Sequence, residues 1–111
     1  MPYFKVAEGR LEEFKGLFKE FMEITEKNEP NCLYYGFSIK DDVMHCREGY
    51  ADSEAVLAHI ENAGSKLGEA LKICEIVRLE VHGPEAELAK LRGHLADLNP
   101  EYYVLEYGFR R

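Results

Sequence analysis

Two strand-like runs, "CLYYGFSIK" (residues 32–40) and "VMHCREGYA" (43–51), are separated by nothing but Asp41 and Asp42. Both runs are rich in aromatic and β-branched residues, and a two-residue acidic link between them specifies a tight antiparallel hairpin. With Lys40 facing Val43, period-two alternation puts Leu33, Tyr35, Phe37 and Ile39 on one face with Met44, Cys46, Glu48 and Tyr50. Tyr34, Gly36, Ser38 and Lys40 share the other face with Val43, His45, Arg47 and Gly49. The first face is apolar, and Glu48 is its one charge.

The elements around the hairpin follow from periodicity. "PYFKVA" (2–7) is a short strand. In "RLEEFKGLFKEFMEITEKN" (10–28), Leu11, Phe14, Leu17, Phe18, Phe21 and Ile24 recur at three- and four-residue spacings, which defines an amphipathic helix. Asn28, Pro30 and Asn31 end it, because proline disfavours helical geometry in the residue before it. After the hairpin, Asp52 or Ser53 caps a helix with an expected buried stripe of Val56, Leu57, Ile60 and Ala63, with His59 at the edge of that stripe. Gly64 is expected to stop this helix, and Ser65 to cap a further turn through Leu67, Ala70 and Leu71. "CEIVRLEVHG" (74–83) is a strand. "GPEAELAKLRGHLADLNP" (83–100) reads as a third helix with Leu88, Leu91, Leu95 and Leu98 along one side. "EYYVLEYGF" (101–109) closes the chain as a strand with Tyr103, Leu105, Tyr107 and Phe109 on one face. The order βαββαβ, followed by an extra helix and strand, fits an α+β, ferredoxin-like plan: an antiparallel sheet with two main helices on one face.

A chain of 111 residues is the size of one domain, spanning 1–111. Such a domain is marginal in size, and its uncovered, aromatic-bearing sheet face is expected to pair with a two-fold partner, giving a homodimer through the open face. Fourteen basic residues against 21 acidic ones give a net charge of -7, so neither nucleic acid nor an anionic membrane surface is an expected partner. The three cysteines, Cys32, Cys46 and Cys74, have no C-x-x-C or His/Cys ligand spacing, which points to free thiols and to no metal site. No secretory n-region and h-region opens the sequence, and no apolar run approaches the roughly 20 residues of a membrane span, so a cytoplasmic location is expected.

With the helix, the hairpin and the "AH" helix in this order, the sequence resembles the antibiotic biosynthesis monooxygenase (ABM) domain family, within the dimeric α+β barrel superfamily. The resemblance is carried by "EGRLEEF" (8–14), "EPNCLYYGFS" (29–38), "REGYADSEAVLAHI" (47–60) and the "EVHGP" strand end (80–84). It covers nearly the whole chain, although Asn31 stands where many relatives carry glycine. It implies a homodimer whose sheets pack face to face, with a ligand cleft in each subunit between sheet and helices. It also implies monooxygenase chemistry that needs no metal or prosthetic group, in which the anion of a phenolic or polycyclic aromatic substrate activates oxygen itself. Haem-degrading relatives depend on a tryptophan, and this chain has none.

Such chemistry asks for an apolar slot, a base or hydrogen-bond partner for the phenolate, and exclusion of water. His59 is the expected base, since imidazole as a class works near neutral pH. Glu48, on the apolar hairpin face, is expected to orient the ring. Tyr35 and Tyr50 are candidate substrate-facing groups, and Phe18, Phe21 and Phe37 candidate slot walls. His45, His82 and His94 fall on separate elements and are read as surface residues. Two other readings share the fold: a small-molecule isomerase using the same His/Glu pair, and a dimeric, non-catalytic ligand-binding or stress-response module.

Overall fold

A computed structural model of the chain describes residues 1–111 and has the element order β1 (Pro2–Val6), α1 (Leu11–Asn28), β2 (Cys32–Lys40), β3 (Val43–Tyr50), α2 (Ser53–Ala70), β4 (Cys74–Gly83), α3 (Glu85–Leu91), a 3-10 turn (Ala96–Leu98) and β5 (Glu101–Val104). The strands form one sheet in the order β2-β3-β1-β4-β5. The first four are all antiparallel to their neighbours, which is the ferredoxin-like arrangement, and β5 adds to β4 in parallel. A parallel neighbour needs a crossover, which α3 supplies. No helix is long and apolar enough to cross a membrane.

The hairpin register agrees with its two-residue link. Lys40 pairs with Val43, Ile39 with Met44, Phe37 with Cys46 and Tyr35 with Glu48. Asp41 takes φ +55, a left-handed value that Asp tolerates better than most residues. A register shift between Cys32 and Tyr34 breaks the alternation at the start of β2, so Leu33 is exposed rather than aligned with Tyr35.

Helix α1 buries Phe14, Phe18, Phe21 and Thr25 against the sheet. Its phenylalanines form a continuous aromatic stack: Phe4 on Phe14, Phe14 edge-on to Phe18, and Phe18 parallel to Phe37 with centroids 3.9 Å apart. Met44, Cys46, Val6 and Ile73 complete the core.

Helix α2 departs from its expected form twice. It runs unbroken from Ser53 to Ala70 through Gly64, which is solvent-exposed. An interior glycine costs a helix only about 1 kcal/mol, less than the packing of the residues on either side returns. The buried face is also rotated: Ser53, Ala55, His59, Ala63 and Ala70 are buried, whereas Ile60 is 38% exposed and Val56 and Leu57 are half-buried. Small residues face inward because α2 lies against both α1 and the sheet, and this puts His59 in the middle of the buried stripe. Asp52 caps the helix, its carboxylate accepting from the Ala55 N–H at 2.9 Å. Glu87 of α3 accepts from the Ser53 N–H at 3.0 Å and ties α3 to the same helix end.

The C-terminal third is shorter in regular structure than its pattern predicts. Helix α3 ends at Leu91, before Gly93, although Leu88, Leu91 and Leu95 are all buried as their spacing requires. Strand β5 stops at Val104 because its partner ends: Gly83 is the last residue of β4 to pair, and Pro84 has no N–H to continue the ladder. Tyr107 and Phe109 therefore lie outside the sheet, 94% and 84% exposed.

Gly68 sits inside α2 with a helical backbone, and a Cβ there would meet nothing within 4 Å. Gly68→Ala is expected to stabilise the fold by about 0.5–1 kcal/mol through the lower entropy of the unfolded chain, measured as an increased urea midpoint at unchanged m-value.

Candidate functional site

Helices α1 and α2 pack antiparallel, with Glu20 meeting Lys66 at one end of the contact, Ile24 meeting Asn62 in the middle, and Glu29 meeting His59 at the other. Glu29 is the first residue past α1, and Pro30 forbids it helical geometry: its backbone takes φ -127 and ψ 81. The turn delivers its side chain under α2. Both Glu29 oxygens lie 3.0 Å from His59 Nδ1, and the two side chains are only 5% and 11% exposed. Asn62, one turn after His59, donates its Nδ2 to Glu29 Oε2 at 2.6 Å and to the Ile24 carbonyl at 3.3 Å, fixing the carboxylate from a second side.

This geometry sets the tautomer. A carboxylate offers only acceptors, so in the neutral ring Nδ1 carries the hydrogen and donates it to Glu29, leaving the lone pair on Nε2. Nε2 points at the Tyr35 hydroxyl, 3.5 Å away. The imidazole is also flanked by the rings of Tyr35 and Tyr50, with centroids at 5.2 and 5.5 Å.

Glu48 is not the partner of His59. It accepts a hydrogen bond of 2.8 Å from the Tyr50 hydroxyl two residues along the same strand face, while the ring of His59 turns its Nδ1 toward the end of α1. The thiol of Cys46 neighbours both Glu48 and Tyr35, and burial, reinforced by the charge of Glu48, pushes it up. The wall of the site is thus a row of two acid/base groups, Glu29–His59 and Glu48–Tyr50, with Tyr35 beside both. Glu29 and Asn62 are the members that sequence reasoning missed. The available signal was a glutamate held out of a helix by the following proline, but its partner is 30 residues away and nothing local names it.

These groups open onto a cavity of about 660 Å³ between the sheet and helices α2 and α3. His59, Glu48, Tyr35, Phe37, Tyr50 and Phe21 all line it. Phe18 does not: stacked on Phe37 and edge-on to Phe14, it lies one layer behind the wall, in the core. No group of three or more His, Cys, Asp or Glu side chains is arranged to hold a metal ion. Chemically, the wall can take a proton at Nε2 and present the Tyr35 hydroxyl to a largely apolar space, while the Tyr50 hydrogen is held by Glu48.

Burial, with the charge of neighbouring Glu48 behind it, raises both Tyr35 and Tyr50 far above the usual phenol range. For an acid whose folded value lies above its unfolded value of about 10, the stabilising contribution is intact below that pH and is lost as pH rises past it. Of the seven tyrosines, Tyr35 and Tyr50 are expected to ionise only on alkaline unfolding, so that the last part of the tyrosinate absorbance appears together with loss of the circular dichroism signal. Complete ionisation in the folded protein would contradict this placement.

Against known proteins, no family model matches the chain and no curated protein matches it, but solved structures do. MupZ from Pseudomonas fluorescens is 48% identical, with a TM-score of 0.94 over 99% of this chain and 90% of MupZ. A candidate antibiotic biosynthesis monooxygenase from Caulobacter crescentus is 26% identical, with a TM-score of 0.54 over 62% of this chain and 73% of that one. With these two neighbours in hand, the chain belongs to the family of antibiotic biosynthesis monooxygenase-like domains that includes MupZ.

Proposed function

We propose that the chain is an enzyme of the antibiotic biosynthesis monooxygenase type that works by removing a proton from a weakly acidic, largely apolar small molecule held in the cleft. The observation that carries this reading is the Glu29–His59 contact. Two carboxylate oxygens at 3.0 Å from Nδ1 hold the ring so that the Nε2 lone pair faces the cavity. That is the geometry of an imidazole base oriented by an acid. For a phenolic or polycyclic substrate, His59 takes the hydroxyl proton at Nε2, and the Tyr35 hydroxyl beside it turns to donate a hydrogen bond to the resulting anion. The electron-rich anion then reduces dioxygen, one oxygen atom becoming the new carbonyl and the other leaving as water. The apolar walls exclude bulk water from the charged intermediate.

A second reading is favoured by one observation, the Glu48–Tyr50 hydrogen bond beside His59. Two separate acid/base groups on one wall suit a reaction that takes a proton from one atom and returns it to another, an isomerisation without oxygen. The non-catalytic module is a third reading, and would leave binding with no turnover. The homodimer belongs to the proposal as well: the outer sheet face, bearing Tyr3, His45, Arg78 and Tyr103, is where a second copy is placed. Its support is the 52% exposure of Val77 and a buried His45 Nε2 with no partner. Light scattering should then report twice the chain mass of 12.8 kDa, and a monomer at micromolar concentration would remove this part of the proposal.

With an anthrone-type phenol as probe, oxygen uptake is expected to fall by roughly 10²–10⁴ in His59→Ala, the usual contribution of a positioned base. Glu29→Ala should fall with it. Turnover that persists without oxygen would select the isomerase reading, and equal turnover by His59→Ala and the parent chain would remove His59 from the mechanism.

A further inference from the structure

The cavity wall changes character across the sheet. Around His59 it is aromatic and polar, built from Tyr35, Phe37, Glu48 and Tyr50 on β2 and β3. Toward β4 and α3 it becomes branched aliphatic, through Val56, Ile76, Leu79, Val81, Leu88 and Leu91. Strand β1 separates β3 from β4, so the two ends of the space lie two interstrand steps apart, roughly 9–10 Å. Phe109, which also lines the space at the α3 end, is itself 84% exposed, and Phe4, the cross-strand partner of Ile76, lies on the floor between the two ends.

A rigid polycycle is served best by flat walls along its whole length. Here the flat walls gather at the reacting end, and beyond Phe4 the apolar part of the lining is methyl groups from α2, β4 and α3, with Glu80, His82 and Glu87 at its polar margin. We propose that the substrate is an amphiphile: a compact ionisable head beside His59 and an unbranched, saturated tail running between α3 and β4. The placement of the head rests on the catalytic reading of His59, whereas the tail site rests on the lining of the cavity alone. Leu79 and Val81, half-buried on the inner face of β4, then measure tail length, and α3, pinned to the start of α2 by Glu87, forms the roof over the tail.

The test uses a series of 4-alkylphenols, from ethyl to decyl, titrated into the full chain by calorimetry. Expected is one-to-one binding in which Kd falls about fourfold per methylene and levels off when the tail has filled the aliphatic end. Leu79→Phe should bring the levelling to shorter tails while leaving the ethyl compound's affinity unchanged, and His59→Ala should keep the slope. Val81→Phe serves the same purpose if Leu79→Phe does not fold, and the parent series stands without either. A Kd independent of tail length, a levelling point that neither Leu79→Phe nor Val81→Phe moves, or anthrone binding more tightly than the best alkylphenol would overturn the proposal. A slope without His59-dependent turnover would uphold the tail site while removing the catalytic reading. His59-dependent turnover without a slope would do the reverse.

Discussion

The buried contact between Glu29 and His59 joins the end of α1 to the middle of α2, and much of the molecule is arranged around it. A buried polar pair is tolerated only when its donors and acceptors are matched, because an unpaired buried N–H costs about 1–3 kcal/mol. Both partners here are matched: Nδ1 donates to the carboxylate, and Asn62 adds a second donor to it. That requirement fixes the rotation of α2, since only one face can present His59 and Asn62 to α1 together. The consequence for function is direct. The same rotation that satisfies Nδ1 turns Nε2 toward Tyr35 and the cavity.

The sheet supplies the opposite wall. Its hairpin places Tyr35 and Glu48 as cross-strand partners, and Tyr50 returns to Glu48 along the same face, so polar groups from β2, β3, α2 and the turn after α1 converge on one patch. Behind them Phe18 of α1 stacks on Phe37, and Phe37 in turn meets the Tyr35 ring edge-on, so the aromatic core backs the polar wall. Helix α3 closes the other side. The Glu87 carboxylate accepting from Ser53, the Lys90–Glu54 ion pair and the buried leucines hold it over the far end of the cavity, and its regular helix ends at Leu91.

How much of this could be read from the chain depends on whether the controlling interaction was local. The hairpin register was legible because a two-residue link leaves one pairing, and α1 because six apolar residues share its face. The face of α2 was misread by one position. Val56, Leu57 and Ile60 are more hydrophobic than Ala55 and Ala63, but close helix packing favours the small residues, and a histidine can be central to a buried face once it has a partner. Glu48 was a reasonable choice of partner as the one charge on the apolar face, and Tyr50 had already claimed it. Glu29 was hidden because a glutamate at a helix end reads as solvent-exposed, and only tertiary packing brings it to His59. Strand β5 was extended too far because alternation continues to Phe109 after the neighbouring strand has ended.

The central claim is that Glu29 fixes the tautomer of His59, so that the neutral ring carries its hydrogen on Nδ1 and its lone pair on Nε2. Nitrogen-15 NMR of the histidine side chains reads this directly. In its neutral form, His59 should show a protonated Nδ1 with slow solvent exchange and an unprotonated Nε2, and Glu29→Ala should abolish that protected signal. A ring protonated on Nε2 alone, or one averaging freely between tautomers as an exposed histidine does, would contradict the account.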